Sequence, residues 1–451
     1  MIHQYKLNGY NIVIDVNSGA IHAVDEVAYD IIGMVENTPE PELRRIIRGR
    51  YGVSDEEISE VLEDIETLRQ EHKLFSEDPF AEAADAFKNR QSVLKAICLH
   101  VAHACNMDCA YCFAGKGQYH GDRGLMSYET GRRALDWLVE QSGDRHHLEV
   151  DFFGGEPLLN WDVVKRLVAY GRSLEKEHDK EFRFTLTTNG LLIDDDVIEF
   201  SRREMGNVVL SLDGRPQTND AMRRTPEGGG TYDLVVDKFR RLAASREQKD
   251  YYMRGTYTAR SLDFASDILH MADLGFRELS MEPVVADPSA PYALRPEHAE
   301  QLCREYERLA VEMIRRRREG RGFHFYHYTI DLTGGPCIAK RIAGCGVGTE
   351  YMAVTPEGDL YPCHQFVGES DYRLGDIWHG VTRPQVLEPF RACNVYSHEE
   401  CRDCFARLYC SGGCAANAVH TTGRVDGVYE LGCVLHRKAD RVRDHDESRG
   451  T

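Results

Sequence analysis

Residues 105–112 read CNMDCAYC and contain a Cys-x3-Cys-x2-Cys group made by Cys105, Cys109 and Cys112. The group lies directly after an apolar run at 93–101 that has the composition of a buried strand. Three thiolates can hold three irons of a four-iron, four-sulfur cube, which leaves the fourth iron open to another ligand. A small molecule with an amine and a carboxylate can chelate that iron. The stretch therefore predicts an iron-sulfur loop at the end of a strand.

Zinc is the other metal that this cysteine loop could hold. A tetrahedral zinc site needs four ligands, and His103 or His120 could add the fourth to the three cysteines. The spacing alone leaves both metals open. The motifs around the loop favour the iron-sulfur interpretation.

Six apolar runs of strand composition alternate with amphipathic helical stretches across the middle of the chain. The runs lie at 93–101, 148–153, 182–187, 207–212, 251–258 and 277–284. This alternation is typical of βα units around a parallel sheet, and six units predict a partial barrel that stays open on one side. After about residue 326 the alternation fades and glycine becomes frequent.

Glycine-rich or polar turns follow the second, third and fourth of these runs. They are GGEP at 154–157, TTNG at 187–190 and SLDG at 211–214. Each turn alone is typical of an ordinary strand end. Because the carboxyl ends of barrel strands meet at one face, three such turns beside a cysteine loop predict a shared ligand site.

A second cysteine group occupies the C-terminal part of the chain. Cys345 is followed by twelve residues and Gly358, and then by four residues and Cys363. The remaining members are Cys401, Cys404, Cys410, Cys414 and Cys433. Two pairs of close thiols could form a zinc ribbon, but the number of cysteines is wrong for one zinc ion and their interleaving differs from that of a simple ribbon.

The composition limits the possible partners and the compartment. Lys and Arg number 55 and Asp and Glu 74 in 451 residues, so the formal net charge of -19 argues against nucleic acid or an anionic membrane as the main partner. The N-terminal residues lack the charged and apolar regions of a signal peptide, and we expect a cytoplasmic protein. Fourteen cysteines in a reducing compartment indicate metal binding and not disulfides.

The first 78 residues are predicted to form a separate module. Alternating runs at 2–7, 10–16 and 20–24 predict three short strands. Apolar residues with helical periodicity follow on one face, at Ile58, Val61, Leu62, Ile65 and Leu68. A stretch rich in Ala, Asp and Glu at 77–89 predicts a linker or a connecting helix. We therefore expect domains at 1–78, 94–325 and 326–451, with a linker at 79–93.

Over residues 94–325 the chain resembles a radical SAM enzyme, on the strength of the cysteine loop and the three strand-end turns. The resemblance implies an α/β fold with a partial (β/α)6 barrel and a [4Fe-4S] cluster that binds S-adenosylmethionine (SAM) and cleaves it to a 5′-deoxyadenosyl radical. It implies that residues 154–156 hold the SAM amino group and that Arg223 or Arg224 pairs with the SAM carboxylate. The other implied SAM-binding residues are Tyr111, Gly154, Gly155, Glu156, Thr188, Asn189, Ser211 and Asp213.

The second cysteine group resembles the SPASM domain, which carries two auxiliary [4Fe-4S] clusters and would bring the total to three. The resemblance implies two ligand sets: Cys401, Cys404, Cys410 and Cys433 for the distal cluster, and Cys345, Cys363 and Cys414 for the cluster nearer the barrel. Cys337 or a substrate thiolate would complete the nearer set. Cys98 and Cys303 are predicted as packing residues, and Cys393 stays unassigned.

The N-terminal module resembles the winged-helix-like recognition element that captures the leader of a ribosomally made precursor peptide as an added strand. A small α+β accessory domain is the alternative. From IHQYKLNGYN at 2–11 to PCHQ at 362–365, the chain most resembles thioether-forming maturases of six-cysteine (ranthipeptide) precursors. That resemblance implies a substrate cysteine bound as thiolate at the nearer auxiliary cluster, a carbon radical that joins its sulfur, and a flavodoxin- or ferredoxin-type electron donor.

Two other functions stay open at this point. An oxidase like the anaerobic sulfatase maturases would convert a substrate Cys or Ser to an aldehyde without joining two residues, although the predicted leader-binding module argues against it. A non-catalytic iron-sulfur or zinc scaffold would bind a partner and leave SAM intact, and the open three-cysteine loop would then serve no purpose.

Overall fold

The computed structural model describes residues 1–7, 9–88, 93–119, 121, 123–328 and 338–447. The sequence predictions for His120 and Cys337 lie outside these residues.

The N-terminal module is a three-stranded antiparallel sheet followed by three helices. Its elements are β1 (Ile2–Leu7), β2 (Tyr10–Asp15), β3 (Ile21–Val24), α1 (Glu26–Met34), α2 (Glu40–Tyr51) and α3 (Asp55–Gln70). The helix α3 begins with a capping box in which Ser54 and Glu57 exchange side-chain and backbone hydrogen bonds. Its buried Ile58 and Ile65 pack against Val13 of β2. The strands and the periodic helix predicted from the sequence are confirmed.

The central part of the chain forms six long parallel strands covered by helices, together with three two-residue strands. Its strands are β4 (Ala96–Ala102), β5 (Asp108–Cys109), β6 (His147–Gly154), β7 (Glu181–Thr188), β8 (Met205–Ser211), β9 (Arg223–Arg224), β10 (Tyr251–Tyr257), β11 (Glu278–Pro283) and β12 (His324–Phe325). Its helices are α4 (Ala81–Lys88), α5 (Tyr128–Gln141), α6 (Trp161–His178), α7 (Asp195–Glu204), α8 (Pro216–Met222), α9 (Tyr232–Ser245), α10 (Phe264–Asp273) and α11 (Ala299–Arg318).

The parallel strands lie in the sheet order β11-β10-β8-β7-β6-β4, so consecutive long strands are neighbours throughout. Their apolar faces and the covering helices share one large core, which includes Phe152, Phe184 and Phe239. All six predicted barrel strands are confirmed. The predicted linker contains α4, whose Ala84 carbonyl oxygen accepts a hydrogen bond from Asn394 Nδ2 at 3.3 Å, so it is a packed connecting helix.

The C-terminal part continues the same sheet. Its elements are β13 (Tyr351–Val354), β14 (Asp359–Tyr361), β15 (Gly375–Asp376), β16 (Gly380–Val381), α12 (Ile338–Ala343), α13 (Pro384–Ala392), α14 (Arg407–Cys410), α15 (Ala415–Thr422) and α16 (Glu430–Glu447). The strand β13 pairs in parallel with β4, and β14 to β16 follow as antiparallel neighbours. The fading alternation after residue 326 concealed this extension, which brings the second cysteine group beside the first strand of the barrel.

The N-terminal module packs against the segment that carries the second cysteine group. Ile12 and Ile14 of β2 are fully buried against Phe405. The Arg407 guanidinium is also buried there, and it donates to Asn17 Oδ1 and Asp78 Oδ2, both at 2.7 Å. The module is therefore held by residues that lie between two predicted cluster ligands, Cys404 and Cys410.

Among the helices in the described residues, not one has both the length and the apolar content that crossing a bilayer requires.

Candidate active site

The three-cysteine loop follows β4 and is tied to two other strand ends. The two-residue strands β5 and β9 pair antiparallel, with Cys109 opposite Arg223. The Ala110 amide donates to the Met222 carbonyl oxygen at 2.8 Å. Asn189, after β7, donates through Nδ2 to Asn106 Oδ1 at 2.8 Å, and its distance to Cys105 Sγ is 3.6 Å. The loop is thus held in place by hydrogen bonds from residues beyond its own strand.

Glu156 organises the neighbouring strand ends from inside the protein. Its side chain is buried, and its two carboxylate oxygens accept hydrogen bonds from the Leu158 amide at 3.0 Å, from Thr188 Oγ1 at 2.8 Å and from the Asn189 amide at 2.8 Å. Burial raises the pKa of Glu156 to about 7, although these hydrogen bonds oppose the rise. Glu156 therefore holds Thr188 and Asn189 in position, with both of its oxygens already engaged.

The glycines before Glu156 let two backbone segments approach each other closely. A Cβ on Gly155 would lie 2.1 Å from the Ala104 carbonyl oxygen, and one on Gly154 would lie 2.2 Å from the Ala102 carbonyl oxygen. Gly154 also has φ +128°, a backbone conformation that favours glycine. The Gly154 carbonyl oxygen accepts a hydrogen bond from Tyr119 at 3.1 Å. These contacts place the end of β6 in direct contact with the backbone at the start of the cysteine loop.

A hydrogen-bonded chain links the cysteine loop to the fourth strand end. Tyr111 donates to Asp213 Oδ2 at 2.6 Å, and Arg223 Nη1 donates to the Tyr111 hydroxyl at 3.1 Å. Asp213 is fully buried, and its other oxygen accepts from the Thr256 amide at 3.0 Å. Burial raises the pKa of Asp213, whereas the nearby Arg223 charge opposes the rise. This series of hydrogen bonds fixes the side chains of both Tyr111 and Arg223.

These strand ends and the cysteine loop surround one cavity of about 420 Å³. The residues predicted from the sequence that line it are Cys105, Cys109, Tyr111, Cys112, Gly154, Gly155, Glu156, Thr188, Asn189, Ser211 and Arg223. Asp213 is not among the described residues that line the cavity. It contributes indirectly, by accepting the hydrogen bond of the Tyr111 hydroxyl. The structure thus brings almost the whole predicted set together at the carboxyl face of the barrel.

The wall contributed by the fifth and sixth long strands was missed by the sequence reasoning. Arg254 of β10 and Glu282 of β11 both line the cavity, and His327 Nε2 lies 3.1 Å from Glu282 Oε1. Burial alone would raise the pKa of Glu282, but the charge and hydrogen bond of His327 lower it to about 2. The available signal was a charged residue inside each of two predicted barrel strands, Arg254 in the run at 251–258 and Glu282 in the run at 277–284. The wall therefore offers charged groups to a polar substrate.

The nearer part of the second cysteine group reaches the same cavity. Cys414 and His364 line it together with the first cysteine loop. His364 directly follows Cys363, and its Nδ1 lies 3.2 Å from the Tyr351 hydroxyl. Burial raises the pKa of Cys363 to about 12, with further contributions from the neighbouring Cys414 and Cys345. Cys414 thus lines the cavity, and Cys363 and Cys345 lie near enough to Cys414 to influence one another.

The distal cysteines form a second cluster next to the N-terminal module. Burial raises the pKa of Cys401 to about 12, and the nearby Cys404 and Cys433 raise it further. Cys410 is influenced in the same way by Cys433, Cys401 and Cys404. The mutual influence places Cys401, Cys404, Cys410 and Cys433 close together, although Cys433 comes from the separate helix α16.

The remaining described cysteines lie outside these two groups. Cys98 is buried in an apolar cluster, and Cys303 packs against the barrel core. Cys393 Sγ lies 3.4 Å from His398 Nε2, and both residues line a small cavity with Cys345. Cys98 and Cys303 thus occupy packing positions, as predicted, whereas Cys393 lies near the nearer ligand set.

The spacing of the thiols fits an iron-sulfur cluster better than a single zinc ion. In a tetrahedral zinc site with bonds of about 2.3 Å, neighbouring sulfurs lie about 3.8 Å apart. Among the described cysteines, no three sulfurs lie within 4.8 Å of one another. Burial raises the pKa of Cys105 to about 12 and that of Cys109 to about 11, and a bound metal would favour the thiolates that burial opposes. The residues present therefore fit a cluster of several irons.

Comparison with family models identifies two domains. Residues 99–250 match the radical SAM superfamily, and residues 345–405 match the SPASM iron-sulfur cluster-binding domain. The first match contains the three-cysteine loop and the three strand-end turns, and the second begins at Cys345.

Curated relatives and solved structures show similarity over most of the chain. A radical SAM cyclopropyl synthase of Paramaledivibacter caminithermalis is 21% identical over 374 residues, covering 76% of this chain and 72% of that protein. A cysteine-type anaerobic sulfatase-maturating enzyme of Clostridium perfringens is 26% identical over 333 residues, covering 69% of this chain and 85% of that protein.

Two solved structures share the fold. Native anSMEcpe with bound AdoMet has a TM-score of 0.64 at 18% identity and covers 79% of this chain and 99% of its own. Streptococcus suis SuiB bound to its precursor peptide SuiA has a TM-score of 0.54 at 17% identity and covers 91% of this chain and 93% of its own. With the family matches, the cysteine geometry and the cavity taken together, this chain carries a radical SAM domain followed by a SPASM iron-sulfur domain.

Proposed function

We propose that this chain is a radical SAM enzyme that installs thioether cross-links, from cysteine sulfur to carbon, in a ribosomally made cysteine-containing precursor peptide. The observation that carries the proposal is the shared cavity. The first cysteine loop forms one side of it, and Cys414 and His364 form part of another. A peptide residue in this cavity would lie within reach of both cysteine groups.

The two cysteine groups have distinct proposed roles. Cys105, Cys109 and Cys112 would hold a [4Fe-4S] cluster that, with SAM, would supply a radical able to take a hydrogen atom from carbon, and Cys345, Cys363 and Cys414 would hold an auxiliary cluster able to accept the electron released when that carbon bonds sulfur. Cys345, Cys363 and Cys414 leave a fourth ligand position that a substrate thiolate or Cys337 would fill.

The chain's own residues bind and orient the reactants. In this proposal, the polar strand ends at Thr188, Asn189 and Ser211 hold the ribose of SAM, and Arg223 pairs with its carboxylate. The opposite wall, with Arg254 and the Glu282–His327 pair, holds polar groups of the peptide.

Peptide substrates are supported by the relatives and by the N-terminal module. The relatives include a PqqA peptide cyclase of Gluconobacter oxydans, 25% identical over 361 residues. The SuiB structure with a bound precursor peptide covers 91% of this chain. In the module, β1 and β3 are the edge strands of a three-stranded sheet, and an edge strand can add a leader peptide as a further strand. A flavodoxin- or ferredoxin-type protein is the proposed electron donor.

The test is anaerobic reaction of cluster-loaded protein with SAM, a strong reductant and the precursor peptide encoded by a neighbouring short reading frame. Each thioether removes one hydrogen from carbon and one from sulfur, so the peptide mass should fall by about two hydrogens per linkage without oxygen gain. We expect Cys105→Ala to abolish 5′-deoxyadenosine formation and Cys414→Ala to keep it but lose the linkage. Cys303→Ala, outside both groups, is the matched control. An unchanged peptide mass would refute the proposal.

The second candidate is an oxidase of the sulfatase-maturase type. It is favoured by the match to the cysteine-type anaerobic sulfatase-maturating enzyme, which covers 85% of that protein. Oxidation of a peptide cysteine to an aldehyde would leave no link between residues. Detection of an aldehyde in the product, by its reaction with a hydrazine reagent, would select this function over thioether formation.

A further inference from the structure

Two histidines and a glutamate meet at the end of the barrel opposite the cavity. His147 begins β6 and Glu181 begins β7, and the two residues are direct partners in the parallel pairing of these strands. His146 lies immediately before β6. The cavity is lined by the carboxyl ends of the same strands. The group is therefore separated from the cysteine loops by the full length of the sheet.

The donor atoms have nearly the spacing of a metal site. His147 Nδ1 lies 3.3 Å from Glu181 Oε2, and His146 Nε2 lies 3.9 Å from the same oxygen. One ligand atom of each residue lies within 4.8 Å of the other two. In a tetrahedral site with metal–ligand bonds of about 2.1 Å, neighbouring donors lie about 3.4 Å apart. Rotation of these exposed side chains would thus bring all three donors onto one ion.

A backbone contact selects the metal-binding form of His146. Its Nδ1 lies 2.9 Å from the Asp179 carbonyl oxygen. A carbonyl oxygen can only accept a hydrogen bond, so in the neutral imidazole Nδ1 carries the proton and Nε2 keeps its lone pair. An imidazole whose other nitrogen donates to a carbonyl is the usual arrangement of a metal-ligating histidine. The Nε2 that this contact leaves free is the atom 3.9 Å from Glu181.

The surroundings leave the site open to an ion from solvent. The His147 side chain is 74% exposed and that of Glu181 is 63% exposed. The two cations nearest in sequence are engaged elsewhere: Lys180 donates to the carbonyl oxygens of Gly143 and Arg145, and Arg145 pairs with Glu350 at 3.2 Å. Water can complete the coordination of an ion held by three protein ligands.

We infer that His146, His147 and Glu181 bind one divalent late transition-metal ion, such as Zn²⁺, Ni²⁺ or Co²⁺. Imidazole nitrogens favour these ions, whereas Mg²⁺ and Ca²⁺ prefer oxygen ligands. The site is independent of the proposed thioether chemistry, since none of its residues lies in the cavity.

The test is calorimetric titration of ZnCl₂ into anaerobic, cluster-loaded protein, because the loaded clusters occupy the cysteines that would also bind zinc. We expect His147→Ala and Glu181→Gln each to weaken binding at one site by at least about tenfold, since even the loss of a ligand's outer partner costs that much. His379→Ala is the matched control, because His379 is equally exposed and its Nδ1 lies 2.9 Å from an Asp376 oxygen, yet it belongs to no such group. MgCl₂ should show no binding at this site.

The outcomes separate this site from the iron-sulfur chemistry. Loss of one zinc site in both variants, with 5′-deoxyadenosine formation unchanged, supports the inference. Equal zinc affinity and stoichiometry in wild type, His147→Ala and Glu181→Gln would overturn it. An equal loss in His379→Ala would overturn it as well, because binding would then be common to exposed histidines.

Discussion

Replacing Arg407 by alanine should release the N-terminal module from the cluster-bearing segment. The guanidinium donates to Asn17 Oδ1 and Asp78 Oδ2, both at 2.7 Å, and to the Arg402 carbonyl oxygen at the same distance. Removing one partner of a buried ion pair costs about 3–5 kcal/mol because the other charge stays buried. Tyr396 still donates to Asp78 at 3.0 Å, so we take the lower end, about 3 kcal/mol, or about a 100-fold larger undocked population.

The assay is hydroxyl-radical footprinting of the Ile12, Ile14 and Phe405 side chains, measured by mass spectrometry, because the backbone of the central strand β2 stays paired with β1 and β3 after undocking. Ile12 and Ile14 are buried against Phe405 in the docked state, so undocking should expose this strand. Arg402→Ala is the matched control, since the Arg402 side chain is exposed and only its carbonyl oxygen takes part in the contact. If these side chains were oxidised at the wild-type rate in Arg407→Ala, the module would be held by apolar contacts alone and the reasoning would be wrong.

Three further predictions concern the cavity and the module. The Glu282–His327 pair should stabilise the protein most between the ordinary pKa values of 4.5 and 6.5, because Glu282 has a lowered pKa and His327 a raised one. The stability that the pair contributes is lost as pH rises through the raised pKa of His327, so the melting-temperature deficit of Glu282→Gln should shrink as pH rises above 6.5. Gly155→Ala should lower SAM cleavage by about 100-fold, since its Cβ would meet the Ala104 carbonyl oxygen at 2.1 Å and displace the cysteine loop. Ser54→Ala should cost about 1 kcal/mol in urea unfolding, because it removes the cap of α3.

Each of these predictions has an outcome that contradicts it. If the melting-temperature deficit of Glu282→Gln stayed constant across pH, the charge on His327 would not contribute to the stability of the folded protein. Wild-type SAM cleavage by Gly155→Ala would show that the loop tolerates a methyl group at this contact. A Ser54→Ala protein as stable as wild type would mean that α3 is held by packing and that its cap contributes little.

Local patterns were sufficient for much of the fold. The strands β1, β2 and β3 and all six long barrel strands were predicted because period-2 alternation and buried apolar runs depend only on neighbouring residues. The pairing of β13 with β4 was not predicted. It joins Tyr351 to Ala96, and no local pattern reports a pairing between residues so far apart in the chain.

The candidate site shows the same difference between what local patterns predict and what only the folded chain shows. The cysteine spacings, the strand-end turns and their order along the parallel strands indicated which residues gather around Cys105, because strands that follow one another in a βα barrel end at the same face. Sequence spacing carries no information on distances between separate segments. Only the folded chain placed Cys414 across the cavity from that loop, turned Glu156 inward onto Thr188, and added Arg254 and Glu282 to the wall.

The sequence by itself determined which cysteines are candidate metal ligands and where the barrel strands lie along the chain, because both depend on short-range spacing. The tertiary structure alone decided that the two cysteine groups share one cavity and that the N-terminal module docks beside the distal cysteines. Those relations depend on packing between elements hundreds of residues apart, which is set by the complementarity of buried surfaces and not by any local pattern.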